Sequence, residues 1–174
     1  MKKIMFASAV LFAAAALAAM PSLITIKGMK KTADTHRNNA VNGPRTVTST
    51  DKNIFYEFEL TASSPAVPDN VNVKWVVVTI GMGGHLHLGT KGEKETALPK
   101  NKPTTVESDD INIESKQVHG PRGHLLSQGE TKIVGYGVRV FDGNGTMIAE
   151  NYYPENEKKT MAEAFDGKLN VQPN

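Results

Sequence analysis

Four of the five histidines in the sequence come in two closely spaced pairs, and their side chains are the ones best suited to chemistry. His85 and His87 lie in the run Gly-Gly-His-Leu-His-Leu-Gly, and His119 and His124 flank a Gly-Pro-Arg-Gly turn. Residues two apart on a strand share one face at about 6.5–7 Å, so two imidazoles can converge on one ion. Because neutral imidazole favours zinc, copper or nickel, the four histidines are candidate ligands for zinc or copper.

The competing interpretation, in which the paired histidines are ordinary surface residues that bind no metal, is stronger. Met82 would add a thioether ligand for cuprous copper, but a His-x-His pattern is far less specific than a metalloprotease motif. Histidines flanked by glycines are common in surface loops, and His36 lies in a stretch without regular pattern. The sequence therefore favours a protein without a cofactor, with zinc or copper binding as the alternative.

Other motifs give weaker signals. Asp142, Asn144 and Thr146 imitate the start of a calcium loop, but its twelfth position is Tyr153 instead of a bidentate glutamate, so a hairpin turn is expected. No serine lies in a nucleophile elbow, and no glycine-rich phosphate loop opens a helix. We therefore expect no enzymatic activity, although a hydrolase with dispersed catalytic residues is a third possibility.

The first 19 residues have the pattern of an export signal. Lys2 and Lys3 precede an apolar run from Ile4 to Ala19, which contains the small-residue sequence Ala16-Leu17-Ala18 of a cleavage site. This pattern predicts a periplasmic or secreted protein. The alternative is an uncleaved anchor that extends to Ile26, and it would be the protein's only contact with the membrane.

Composition narrows the function classes further. The 174 residues include no cysteine, which excludes disulfides, thiolate metal sites and a lipoprotein anchor. The formal net charge of +2 equals the contribution of Lys2 and Lys3, so the remainder of the chain is neutral. A neutral chain lacks the basic footprint of a nucleic-acid-binding protein. Residues 20–45 carry an excess of basic side chains without periodicity, and they are predicted to form a flexible basic leader.

Period-two patterns dominate residues 46–153. Ile54 to Leu60 alternate apolar with polar residues, Val71 to Ile80 indicate a central strand, and Thr131 to Phe141 indicate another strong strand. Shorter strands are predicted between them. After Pro154 the composition favours a short helix at Glu155–Phe165 and a C-terminal tail, within residues 154–174.

About seven short strands without alternating helices predict an all-β fold, an antiparallel sandwich of two sheets. With Trp75 on an early central strand and Tyr136 near the start of a late one, the arrangement resembles the immunoglobulin and fibronectin type III class, although the cysteine pair of antibody domains is missing. We expect the exported domain to bind another envelope or extracellular protein through loops or an exposed sheet edge. The alternative is a periplasmic metal-binding protein that uses the paired histidines.

Overall fold

The computed structural model describes residues 23–169, which form nine β-strands followed by one short α-helix. The predicted export signal over 1–19 lies outside these residues. The elements are β1 (Ile24–Asn42), β2 (Arg45–Ala62), β3 (Asn70–Ile80), β4 (Leu86–Ala97), β5 (Pro103–Glu107), β6 (Ile111–His119), β7 (Leu125–Glu130), β8 (Lys132–Phe141), β9 (Met147–Tyr153) and α1 (Lys158–Phe165).

The strands form two antiparallel sheets. Sheet A has the order β1-β2-β6-β7, and β5 pairs with β2 next to β6. Sheet B has the order β4-β3-β8-β9. Inward-facing residues of both sheets share one hydrophobic core, which confirms the predicted all-β fold with a short C-terminal helix.

Aromatic packing joins the two sheets. The ring centroid of Phe58 on β2 lies 6.3 Å from that of Trp75 on β3 and 5.5 Å from that of Tyr136 on β8. Tyr56 stacks on Phe58 from two positions along the same strand, at 5.9 Å between centroids. All four side chains are buried, because the period-two alternation of β2 directs Tyr56 and Phe58 to the same inner face.

β3 is buried on both faces, as its continuous apolar run predicts. Val76 and Val78 point away from the inter-sheet core and pack with Met161 and Ala164 of α1. The helix therefore covers the outer face of sheet B, and one strand contributes to two hydrophobic clusters.

The structure differs from the predicted flexible leader. Residues 24–42 form β1, which pairs with β2 from Ile24 opposite Ala62 to Asn42 opposite Arg45. Beyond Gly28 the side chains of β1 are all exposed, so no alternation of apolar and polar residues marks the strand. The backbone hydrogen bonds of a long hairpin define this strand, and Gly43 forms its turn with a positive φ of 61°.

Sheet A continues past the part that sheet B covers. We call this extension the arm; it comprises residues 34–42, 45–53, 114–119 and 125–130, and it contributes no residue to either hydrophobic cluster. The nine residues of β2 in the arm span about 30 Å at the usual rise of a strand. Within residues 23–169, no helix has the length and apolar character needed to span a membrane.

The shared aromatic core predicts a strong asymmetry between two phenylalanines of β2. Phe58→Ala should reduce the free energy of unfolding by about 3–5 kcal/mol, because it leaves a cavity between Trp75 and Tyr136. Phe55→Ala, on the opposite face of the same strand, should cost less than half as much since Phe55 is only partly buried. Chemical denaturation measures both losses, and equal losses would contradict this packing.

A second prediction concerns the attachment of the helix. Glu150 accepts hydrogen bonds from Lys158 Nζ at 2.6 Å and Tyr152 Oη at 2.8 Å. Burial alone raises the pKa of Glu150, but these hydrogen bonds outweigh it and hold the pKa below its usual value of 4.5. Since the folded pKa is the lower one, the carboxylate stabilises the fold above about pH 4.5, and this contribution is lost as the pH falls through the lowered pKa.

We therefore expect Glu150→Gln to cost about 0.2–1 kcal/mol of unfolding free energy at neutral pH and progressively less as the pH falls below 4.5. Unfolding curves of the variant and the unsubstituted chain across this range measure the difference. Glu107→Gln, at an exposed position on β5, is the matched control for removal of a carboxylate. A loss for Glu150→Gln that stays constant as the pH falls would contradict the assignment.

Candidate functional site

The first histidine pair lines a cleft at the turn between β3 and β4. Gly81 donates its N–H to the carbonyl of His85 at 2.9 Å, which closes the turn. His87 follows in β4, opposite Thr79 of β3. Both histidines and Met82 border one open cleft of about 560 Å³, whose other wall includes Ile111, Asn112, Glu114 and Thr131. The His-x-His spacing thus places two imidazoles beside the same cavity.

The second pair lies at the other end of β6. His119 is the last residue of that strand, opposite Thr46 of β2, and His124 lies in the exposed turn before β7. Glu114, which borders the cleft, precedes His119 by five residues, a separation of about 17 Å along the strand. Among residues 23–169, no three or more histidine, aspartate or glutamate side chains are grouped so as to hold a metal ion.

The structure therefore does not bring the four predicted ligands together, because the two turns that carry them flank β6 at opposite ends. Binding of zinc or copper by His85 and His87 alone stays a prediction. The exposed His36, which the sequence left without a role, lies with its Nε2 2.6 Å from Asp34 Oδ2.

A different site lies along the free edge of β1, whose only strand neighbour within residues 23–169 is β2. The beginning of this edge is covered by side chains from sheet B. The carbonyl of Ile26 accepts a hydrogen bond from Asn151 Nδ2 at 2.7 Å, and Gly28 donates its N–H to Tyr136 Oη at 3.1 Å. Backbone groups two residues further along a strand point the same way, so those of Lys30 and Thr32 face outward.

A β-bulge interrupts the edge after Thr32. The pairing with β2 shifts between Thr32 and Asp34. Asp34 Oδ1 then accepts the N–H of Thr35 at 2.6 Å, so a carboxylate from the strand itself occupies this position. The open stretch at Lys30 and Thr32 is therefore bounded by Tyr136 on one side and by Asp34 on the other.

A groove runs beside this open stretch, between β1 and the segment that leads from β7 into β8. It consists of two adjoining cavities of about 390 and 310 Å³, which share Lys30 and Ile133; we call it the β1 groove. The first cavity is bordered by Gly28, Tyr56, Val134, Gly135, Tyr136 and Tyr153, and the second by Thr32, Lys52, Ile54, Ile113, Glu130, Thr131 and Lys132.

The floor of the β1 groove is aromatic and aliphatic. Tyr56, Tyr136 and Ile54 are buried, whereas Tyr153 is 64% exposed and its ring stacks on that of Tyr136 at 5.7 Å. Burial, with smaller contributions from Tyr136 and Tyr153, raises the pKa of Tyr56 to about 12, and burial also raises the pKa of Tyr136. Both hydroxyls are therefore neutral at physiological pH.

Three lysines and one glutamate carry the charge of the groove: Lys30, Lys52 and Lys132 against Glu130. None of these lysines forms an ion pair within residues 23–169, whereas the neighbouring Lys31 is held by Glu57 at 3.1 Å. The groove therefore combines an apolar floor, an unpaired backbone edge and a net positive charge.

Sequence reasoning missed this site because it treated residues 20–45 as a leader without secondary structure. The Asn42-Gly43 dipeptide is a strong hairpin signal and was the available clue. Tyr153 and Lys132 are single residues at strand ends, and nothing in their sequence context distinguishes them from ordinary surface residues.

Comparisons with known proteins identify no relative. No protein-family model and no curated protein sequence matches the chain. A crystal structure from Akkermansia muciniphila is similar at 13% identity and a TM-score of 0.31, covering 78% of this chain and 76% of that one. A calcium-binding mutant of Bacteroides uniformis beta-glucuronidase 2 is similar at 10% identity and a TM-score of 0.31, covering 67% of this chain and 14% of the enzyme. Neither a finer fold type nor a function follows from these scores.

The cleft at the β3–β4 turn allows a direct test of metal binding. We expect zinc or copper taken up by the purified chain to be lost in the double variant His85→Ala, His87→Ala, because both imidazoles border the cleft. The double variant His119→Ala, His124→Ala is the matched control and should retain the ion. Elemental analysis after dialysis gives the stoichiometry, and equal loss in both variants, or no metal in any form, would discard the site.

Proposed function

We propose that this chain is an exported, non-enzymatic β-sandwich domain that binds another envelope or extracellular protein. The observation that carries the proposal is the free edge of β1 beside the β1 groove. An extended segment of a partner would add a strand to sheet A there, with its backbone paired to Lys30 and Thr32.

Several features support binding over catalysis at this groove. Its lining offers backbone groups, aliphatic and aromatic side chains and lysines, while Glu130 is its single carboxylate. The pKa of Tyr56, raised to about 12, keeps its hydroxyl protonated at neutral pH, so the phenolate is not available there as a general base. These groups suit recognition of a peptide backbone and of side chains that alternate along it.

The export part of the proposal rests on the signal pattern of residues 1–19. The strand β1 begins at Ile24, five residues after the predicted end of that signal, so removal of the signal leaves every described strand intact. The absence of cysteine from the chain makes the fold independent of the redox state of its compartment.

We propose further that the sandwich belongs to the immunoglobulin or fibronectin type III class. Its support is the position of Trp75 on a central strand of one sheet, in the same core as Tyr136 of the late strand β8. A metal-binding protein centred on His85 and His87 is the second candidate function, favoured by the cleft that the two side chains share.

The partner proposal predicts position-specific crosslinking in the cells that produce the chain. A photoreactive amino acid at Lys30 or Arg37, both exposed on β1, should form a covalent adduct with an envelope protein. The same group at Lys159, whose side chain is 91% exposed on α1, is the control and should give no such adduct. Mass spectrometry of the adducts identifies the partner, and fractionation shows the compartment.

The variant Lys30→Pro should abolish the adduct formed at Arg37, because proline removes the outward N–H at the open stretch. Lys30→Arg keeps both that N–H and the positive charge, so it is the matched control and should preserve the adduct. Equal crosslinking at Lys159, no adduct at either edge position, or recovery of the chain in the cytosol would overturn the proposal.

A further inference from the structure

The β1 groove also specifies what kind of segment it accepts. Resting on the proposed function, we infer that the occupant is an acidic, extended peptide segment of a protein partner that places one aromatic or large aliphatic side chain beside Tyr153. The argument combines the backbone edge, the aromatic cavity and the unpaired lysines.

The positions of the β1 edge that are already hydrogen-bonded within the chain determine where a partner segment can pair. The outward carbonyl of Ile26 already accepts from Asn151, and the outward N–H of Gly28 already donates to Tyr136, so we expect an added strand to pair from Lys30 onward. After the bulge, the outward N–H of Thr35 donates to Asp34 Oδ1 and is therefore already hydrogen-bonded. The stretch of β1 that can pair beside the groove, between Tyr136 and Asp34, is therefore short, and side chains must supply much of the affinity there.

The cavity that Gly28 borders can hold one side chain of the partner segment. Tyr153 and Tyr136 form a stacked pair, and the Tyr136 ring also lies 5.2 Å from that of Tyr56. The exposed ring of Tyr153 forms an open wall of a cavity of about 390 Å³ that the half-buried Ile133 and Val134 complete. Aromatic rings stack favourably on such a wall, and aliphatic side chains also gain by leaving water there.

The charges of the groove select the flanking residues of the segment. Lys30, Lys52 and Lys132 are exposed and lack ion-pair partners within the described part of the chain, and Glu130 offsets only one of them. Carboxylates on alternate positions of an added strand would face these ammonium groups from one side. An acidic segment is therefore favoured over a neutral or basic one.

The same lysines disfavour the other occupants. A second copy of this chain would bring its own β1 to the edge, and Lys30, Lys31 and Arg37 of the two copies would repel; lysines on edge strands commonly prevent such pairing. An anionic polysaccharide could satisfy the lysines, but it has no amide row to pair with Lys30 and Thr32.

The test uses fluorescent peptides of about nine residues with alternating pattern, each in an acidic, a neutral and a basic version, and each with a central phenylalanine or alanine. Fluorescence anisotropy with the full chain measures affinity, and hydrogen exchange of the β1 amides locates the peptide. We expect the acidic phenylalanine peptide to bind at least about tenfold more tightly than the basic one, with an affinity that falls as salt rises from about 50 to 300 mM.

Two variants should weaken that peptide about tenfold or more: Lys30→Glu combined with Lys132→Glu, and Tyr153→Ala. Lys159→Glu, far from the groove on α1, is the charge control and should not change the affinity. Thermal unfolding of each variant checks that the fold is retained.

The inference is overturned if the three charge versions bind equally, if Tyr153→Ala has no effect, or if no peptide binds. Two further results would overturn it. In the first, heparin displaces the peptide by binding the same lysines without protecting the β1 amides from exchange. In the second, the chain forms a dimer through β1. Crosslinking at Lys30 in cells is independent of these results, so the proposed partner binding stands or fails separately.

Discussion

The contact of Phe58 with Trp75 and Tyr136 is the interaction on which the rest of the structure depends. It joins β2 of one sheet to β3 and β8 of the other, and the remaining apolar side chains of the core are arranged around it. Because the chain has no cysteine and therefore no disulfide, this packing, together with the hydrogen bonds from Asn151 to Ile26 and from Gly28 to Tyr136, holds the two layers together. The same contact orients the Tyr136 ring, whose hydroxyl then accepts the N–H of Gly28 on β1.

Much of this core could be predicted from sequence, and the reason is periodicity. Alternating apolar residues at Ile54 to Leu60 and an apolar run at Val71 to Ile80 are produced by burial on one face and on two faces, respectively. The helix after Pro154 was predictable from its helix-forming residues and the glycine that follows it. In each case the hydrophobic effect leaves a pattern in the order of the residues.

The candidate site was not predictable in the same way, since no such pattern exists for β1 beyond Gly28. Its side chains are solvated on both faces, and its structure comes from backbone pairing with β2. The histidine pairs were not predictable for a different reason. Their spacing places His85 and His87 beside one cleft, but local spacing contains no information on the distance to His119 across a sheet.

The passage from β7 into β8 has a mechanical consequence. Thr131 alone separates the last residue of the arm strand β7 from the first residue of the core strand β8. In addition, β2 runs without interruption from the arm tip into the core. A load applied lengthwise to the arm is therefore transmitted along β2 and through the short β7–β8 connection, and it is resisted in shear by the many backbone hydrogen bonds of the β1–β2 hairpin acting in parallel.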